Sequence, residues 1–208
     1  MALKKSIDAV ALRSVEIRDY PRDLAGLSAQ LRDPDPASRR WAARDLAGFE
    51  KAGPVVCAAL QDEADPSVRA ALFTTASRLG GNAVVQGLLP LLRCEDAELR
   101  NGAIEALAGL PEAVAPYIEA LLRDADSDVR IFTVNLLNDL RHERVPVWLT
   151  QVLLEDPEVN VVGAALDVMA EVGTPQSLPA LRAAKQRFAD SPFIGFSVDL
   201  VIGRIEQA

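Results

Sequence analysis

Val68, Leu72, Ala76 and Leu79 fall at i, i+4, i+8 and i+11, drawing one apolar stripe down a helix. Polar punctuation brackets the stripe. Asp65 suits an N-cap, Pro66 suits the first helical position, and Gly80-Gly81 stops the helix. Just upstream, Gly53-Pro54 opens a shorter helix carrying Val56, Ala59 and Leu60 at helical spacing. Two helices and a tight turn therefore make one unit.

The unit recurs. Asp35-Pro36-Ala37-Ser38-Arg39, Asp65-Pro66-Ser67-Val68-Arg69, Asp96-Ala97-Glu98-Leu99-Arg100, Asp126-Ser127-Asp128-Val129-Arg130 and Asp156-Pro157-Glu158-Val159-Asn160 are five versions of one phrase, stepping by 30, 31, 30 and 30 residues. So steady a period marks stacked repeats, each burying its apolar face against its neighbours. The pattern predicts helical pairs 21–32 with 36–49, 54–62 with 66–79, 83–93 with 97–109, 112–123 with 127–140, and 146–154 with 157–171. A sixth pair, 176–189 with 192–206, lacks the phrase, holds Phe188, Phe193 and Phe196, and ends polar; it suits a C-terminal cap over the span 174–208. Residues 1–20 are either an amphipathic helix through Leu3, Ile7, Val10 and Val15 or an arm. The repeats proper span 21–173.

The fifth unit breaks register. Asn160 stands where the others have Arg, and Gly173 follows it by 13 residues, whereas Gly80 follows Arg69 by 11. Two extra residues turn a helix face by about 200°, so Val159–Val162 must absorb a bend, a longer first turn or another irregularity.

Composition agrees with an all-α chain: half the residues are hydrophobic but only 5% aromatic, so Ala, Leu and Val build the core. Net charge is −8. It is unevenly spread, at +1 over residues 1–50 and −9 over 51–208. That balance argues against nucleic acid and anionic membranes as partners. No apolar run reaches the ~18 residues of a membrane span, and the N-terminus reads as no secretory signal. Cys57 and Cys94 lie in different units without CxxC spacing, as reduced thiols of a cytoplasmic protein would.

The Asp-Pro-x-Val-Arg phrase ahead of an Ala/Leu-rich helix resembles the HEAT repeat, in the short bacterial form typified by phycobilisome lyases. The resemblance implies a right-handed α-α superhelix, a solenoid of about five helical pairs plus a capping pair. It also implies that second helices line a concave surface and that the phrase Asp and Arg bond between neighbouring units. Asp65, Arg69, Arg100 and Arg130 would then be structural. A bilin lyase subunit, or a subunit of a related cofactor-handling enzyme, is the alternative function it suggests.

Chemistry is hard to place on this chain. Deoxyhypusine hydroxylase, a HEAT enzyme, needs several His-Glu pairs, and this sequence has a single His, His142, expected to cap a helix end. No Walker loop, GxSxG or GxGxxG is present, and no cofactor or metal is expected. Binding to another protein or peptide is the leading expectation. With each phrase Arg as zero, the core stripe falls at −1, +3, +7 and +10, and the opposite ridge at +1, +5, +8 and +12. The ridge offers Arg40 and Arg44 in the first unit, Thr74 in the second, Asn101 and Glu105 in the third, and Asn135 and Asn138 in the fourth. Trp41 and Phe132, at +2, either flank this surface or pack between helices. Small and amide side chains beside aromatics suit close contact with a peptide or helix.

Overall fold

The computed structural model describes residues 19–207; the expected N-terminal helix or arm lies almost wholly outside them. Twelve α-helices follow one another: α1 (Leu24–Gln30), α2 (Pro36–Asp45), α3 (Gly53–Asp62), α4 (Pro66–Leu79), α5 (Gly81–Leu88), α6 (Ala97–Ala108), α7 (Pro111–Leu121), α8 (Ser127–Asp139), α9 (Val145–Glu155), α10 (Val159–Val172), α11 (Leu178–Arg187) and α12 (Pro192–Gln207). Short 3-10 turns extend α2 and α5, and the described residues contain no strand.

The helices form two layers. Each even-numbered helix packs on the next even-numbered one from α2 to α12, while α3 lies against α5, α5 against α7, and α9 against α11. A single apolar core runs between the layers. The anticipated stripe is buried in units two to four: Val68, Leu72 and Ala76 in α4, Leu99, Ala103 and Leu107 in α6, and Val129, Thr133 and Leu137 in α8. Local chemistry sets the helix starts. The carboxylates of Asp35, Asp65, Asp96 and Asp126 each accept a backbone N–H of their helix. Gly80 and Gly81 take φ of 61° and 77°, a left-handed turn that lets α5 leave α4 abruptly.

Equivalent positions are set by one bond. The N–H donating to the N-cap carbonyl belongs to Arg39, Arg69, Arg100, Arg130, Val162 and Gly195 in the six units. The fifth unit is therefore aligned on Val162, not Asn160, and Glu158 rather than Asp156 is its N-cap. Gly173 then follows the zero position by 11 residues, as Gly80 does. The two extra residues are taken up before α9, where Leu140–Arg144 forms a five-residue connection; Gly109 and Leu110 alone join α6 to α7. There α7 and α9 lack the close packing of the other outer pairs named, and Arg144 reaches from the connection to Glu119 on α7. His142 does not cap α8 either: its Nδ1 accepts the Arg144 N–H at 3.1 Å and its ring stacks on Trp148, centroids 4.9 Å apart.

The phrase arginines tie the units together, in a way that differs from the family pattern. Each donates to the carbonyl six residues before it: Arg39 to Asp33, Arg69 to Glu63, Arg100 to Cys94 and Arg130 to Asp124. Three also reach an acid of the next unit. Arg39 forks onto Glu63, Arg69 meets Asp96 at 2.8 Å, and Arg130 forks onto Asp156. The acid used is the phrase Asp only at Asp96. Glu63 and Asp156 lie two residues before their N-caps, whose N–H groups they also accept at 2.8 and 2.9 Å. Among the described residues Arg100 has no such carboxylate; its guanidinium lies 4.4 Å from the centre of the Phe132 ring.

Candidate binding groove

Because the even-numbered helices lie side by side, the residues opposite each core stripe line up across units. At position +5 they are Arg44, Thr74, Glu105, Asn135 and Asp167, all exposed. Three hollows join along this line. A hollow of about 420 Å³ runs from Arg44 and Ala47 to Ala70, Thr74 and Arg78. One of about 390 Å³ continues from Ala70, Thr74 and Ser77 to Gly102 and Glu105. The largest, about 980 Å³, spans α6, α8 and α10 and is bordered by Asn101, Glu105, Asn135, Asn138, Asp139 and Asp167. Shared residues at each junction make these one trough across five units.

Six of the nine residues expected from the sequence lie on it: Arg44, Thr74, Asn101, Glu105, Asn135 and Asn138. Three do not. Arg40 is half-buried between α2 and α4, where its Nη1 lies 3.4 Å from the Ser67 hydroxyl and its Nε has no partner. Phe132 is half-buried under Arg100, so it packs between helices. Trp41 is 57% exposed, off the trough, with the Arg44 guanidinium 5.6 Å from its ring. Position +2 faces the preceding unit, as Phe132 does in α8. No earlier second helix precedes α2 among the described residues, which leaves Trp41 bare.

Sequence reasoning missed Asp139, Arg141 and Asp167. Asp167 was hidden by the register of the fifth unit: counted from Asn160, position +5 is Ala165, which is buried. Counting back 11 residues from Gly173 finds it. Asp139, at +9, is the last residue of α8 and Arg141, at +11, lies just beyond it; both fall between the counted ridge positions +8 and +12.

The charge along the trough changes sign. Arg44 and Arg78 stand at the first two units; Glu105, Asp139 and Asp167 surround the large hollow with Arg141 as the one cation bordering it. None of these three carboxylates forms an ion pair with a described residue. The apolar lining of the large hollow mixes the small Ala108, Gly109 and Ala164 with Ile104, Pro111 and Val168. No nucleophile–base pair borders the trough. Cys57 is buried in α3, and burial pushes its thiol up to about 11. Among the described residues no group of three His, Cys, Asp or Glu could hold a metal ion, and no helix is long and apolar enough to cross a membrane.

Stacked helical pairs with a continuous trough along the second helices define an α-α superhelix of the repeat class. The family model described as HEAT repeats matches residues 24–108 and 114–190, and the chain belongs to that family. No curated protein matches the sequence. Among solved structures, the chain is similar to the N-terminal domain of MAST/Orbit, with 21% identity over 89% of this chain and 97% of that one and a TM-score of 0.55. It is also similar to human deoxyhypusine hydroxylase (20% identity, 90% of this chain and 76% of that one, TM-score 0.47). A third similar structure is the complex of CpcE and CpcF of phycocyanin lyase from Nostoc sp. (18% identity, 90% and 99%, TM-score 0.37). At these identities the likeness is one of fold.

Proposed function

We propose that this HEAT solenoid is a non-enzymatic adaptor that binds another protein or peptide along the trough of its second helices. The observation that carries the reading is the alignment of Arg44, Thr74, Glu105, Asn135 and Asp167 at one helical position in five successive units. A surface repeated in that way contacts an elongated partner with one set of side chains per unit, and small lining residues such as Ala70, Ala108 and Ala164 let a backbone approach. The carboxylates about the large hollow disfavour nucleic acid. Two free cysteines, one of them in the core, fit a cytoplasmic protein.

The test is affinity capture from native lysate with the wild-type chain and with an Arg44→Glu, Asn135→Lys double variant. A partner that uses the trough is retained by the first and lost by the second, at equal helicity and Tm. A partner retained equally by both binds elsewhere and removes the reading.

A further inference from the structure

The hollows end at the fifth unit, but the ridge that lines them continues onto α12. Gly195 is the position in α12 equivalent to Arg69 and Val162, since its N–H bonds the Ser191 carbonyl at 3.1 Å. Position +1 is then Phe196 and position +5 is Leu200, on the same ridge as Asn101 and Glu105 in α6. Both are bare, Phe196 at 71% and Leu200 at 55% exposed, and Phe193 beside them is 55% exposed although it covers Gly163. The helix expected to end the stack in polar residues therefore turns an apolar stripe outward, where soluble surfaces seldom carry one. Gly203, at +8, has nothing within 4 Å of where a Cβ would stand, so the stripe ends in open space. On α10, which packs against α12, the residue at the same position as Leu200 is Asp167, at the acidic end of the large hollow.

We propose, resting on the reading of the trough as a protein-binding surface, that units three to six hold a cationic amphipathic helix of a partner protein. Its basic residues face Glu105, Asp139 and Asp167, and its apolar end covers Phe196 and Leu200. Charge complementarity selects this occupant. Three carboxylates that form no ion pair among the described residues, against the single cation Arg141, favour a basic partner, and the adjoining apolar stripe requires that partner to be apolar at one end. Ala108, Gly109 and Ala164 in the lining leave room for a helix to approach. Packed helices lie about 10 Å apart, so α6 to α12 is roughly 30 Å, the length of about 20 helical residues.

The probe is a synthetic 20-residue helix whose binding face carries Lys over its first two-thirds and Leu over its last third, measured by fluorescence anisotropy against the full chain. It is expected to bind, more weakly at high salt. Asp167→Asn with Glu105→Gln, and separately Leu200→Ser, should each weaken it at least tenfold. Glu155→Gln, on outer helix α9, should change nothing, and a probe with Glu in place of Lys should not bind. Equal weakening by Glu155→Gln, or none by the trough variants, overturns the proposal by showing general attraction to an acidic protein. Sedimentation of wild type and Phe196→Ser gives the second arm: a dimer that the substitution converts to a monomer shows that a second copy covers the stripe, and also overturns it. A natural partner lost with Arg44→Glu but indifferent to Asp167→Asn and Leu200→Ser leaves the trough reading standing and overturns this inference alone.

Discussion

Arg130 and Asp156 form a buried, forked ion pair across the boundary between the fourth and fifth units, with Nε donating to Oδ2 at 2.7 Å and Nη2 to Oδ1 at 3.2 Å. The same guanidinium donates to the Asp124 carbonyl, and Asp156 accepts the Glu158 N–H. One side chain thus closes its own turn and fixes the start of the next inner helix. The contact falls where the helical register changes, so it holds together the two units whose spacing is irregular.

Arg130→Ala leaves Asp156 buried without its cation. Breaking such a pair costs about 3–5 kcal/mol, and the variant should show a clearly lowered Tm with helicity retained below the transition. Arg100→Ala should cost less, about 1–2 kcal/mol, because Arg100 bonds a carbonyl and lies over Phe132 but meets no carboxylate. Equal losses in thermal or urea melts would show that the carbonyl bond, common to both, is what matters.

The Arg39–Glu63 pair predicts a dependence on pH. The hydrogen bonds from Arg39 hold the Glu63 carboxyl below its ordinary value of 4.5, against burial, which acts the other way. A carboxylate with a depressed folded-state pKa contributes stability that is fully present above its unfolded value and lost as pH falls through the folded one. Wild type should therefore be the more stable at pH 7, by about 2 kcal/mol, than Glu63→Gln. The difference should shrink below pH 4.5. A Tm difference that is constant across that range would remove the ionised pair as its cause.

Most of the architecture was legible because each unit repeats the same local instructions. Asp at the N-cap, Arg four residues on and buried residues at −1, +3 and +7 agree with one another in units two to four, so an error in one unit is corrected by its neighbours. The fifth unit had no such support. Asp156-Pro157 reads as the phrase, yet Asp156 does what Glu63 does: it accepts from the preceding unit's arginine and stands two residues before the N-cap. A short phrase could be matched by composition in the wrong register, and only the distance back from Gly173 carried the right one. The failures among the expected groove residues have a different origin. Helical angle places Arg40 and Phe132 near the ridge, but whether a side chain at +1 or +2 turns to the trough or into the next helix depends on the neighbouring unit. Ser67 draws Arg40 inward, and Arg100 covers Phe132.

Gly102 shows how tightly units can close on one another. A Cβ there would overlap the ring of Phe73 from the preceding unit, with three of its carbons in the way. Gly102→Ala should displace that ring and cost about 1–3 kcal/mol, whereas Gly203→Ala, in open space on α12, should stabilise the helix by about 0.5–1 kcal/mol. Chemical denaturation of the two variants provides the comparison; the same sign for both would mean that helix propensity outweighs packing here.

Arg187 supplies to the fifth unit what Val162 cannot. In the first four units the residue at the zero position is an arginine that bonds a carbonyl ahead of its own helix; in the fifth, Val162 is fully buried and has no group to offer. From α11, Arg187 returns to the same place, donating to the Leu153 carbonyl at 2.6 Å and the Asp156 carbonyl at 2.7 Å. The last helical pair is thereby fastened to the end of α9 and to the residue that pairs with Arg130. Arg187→Ala should loosen α11 and α12 first, seen as faster amide hydrogen exchange there and at the end of α9, with α2 to α6 unchanged. Val162→Arg should not restore protection, because the longer side chain would start from a fully buried position in the core. Uniform loss of protection along the whole chain would instead make Arg187 a contributor to global stability and not a clasp for its final pair.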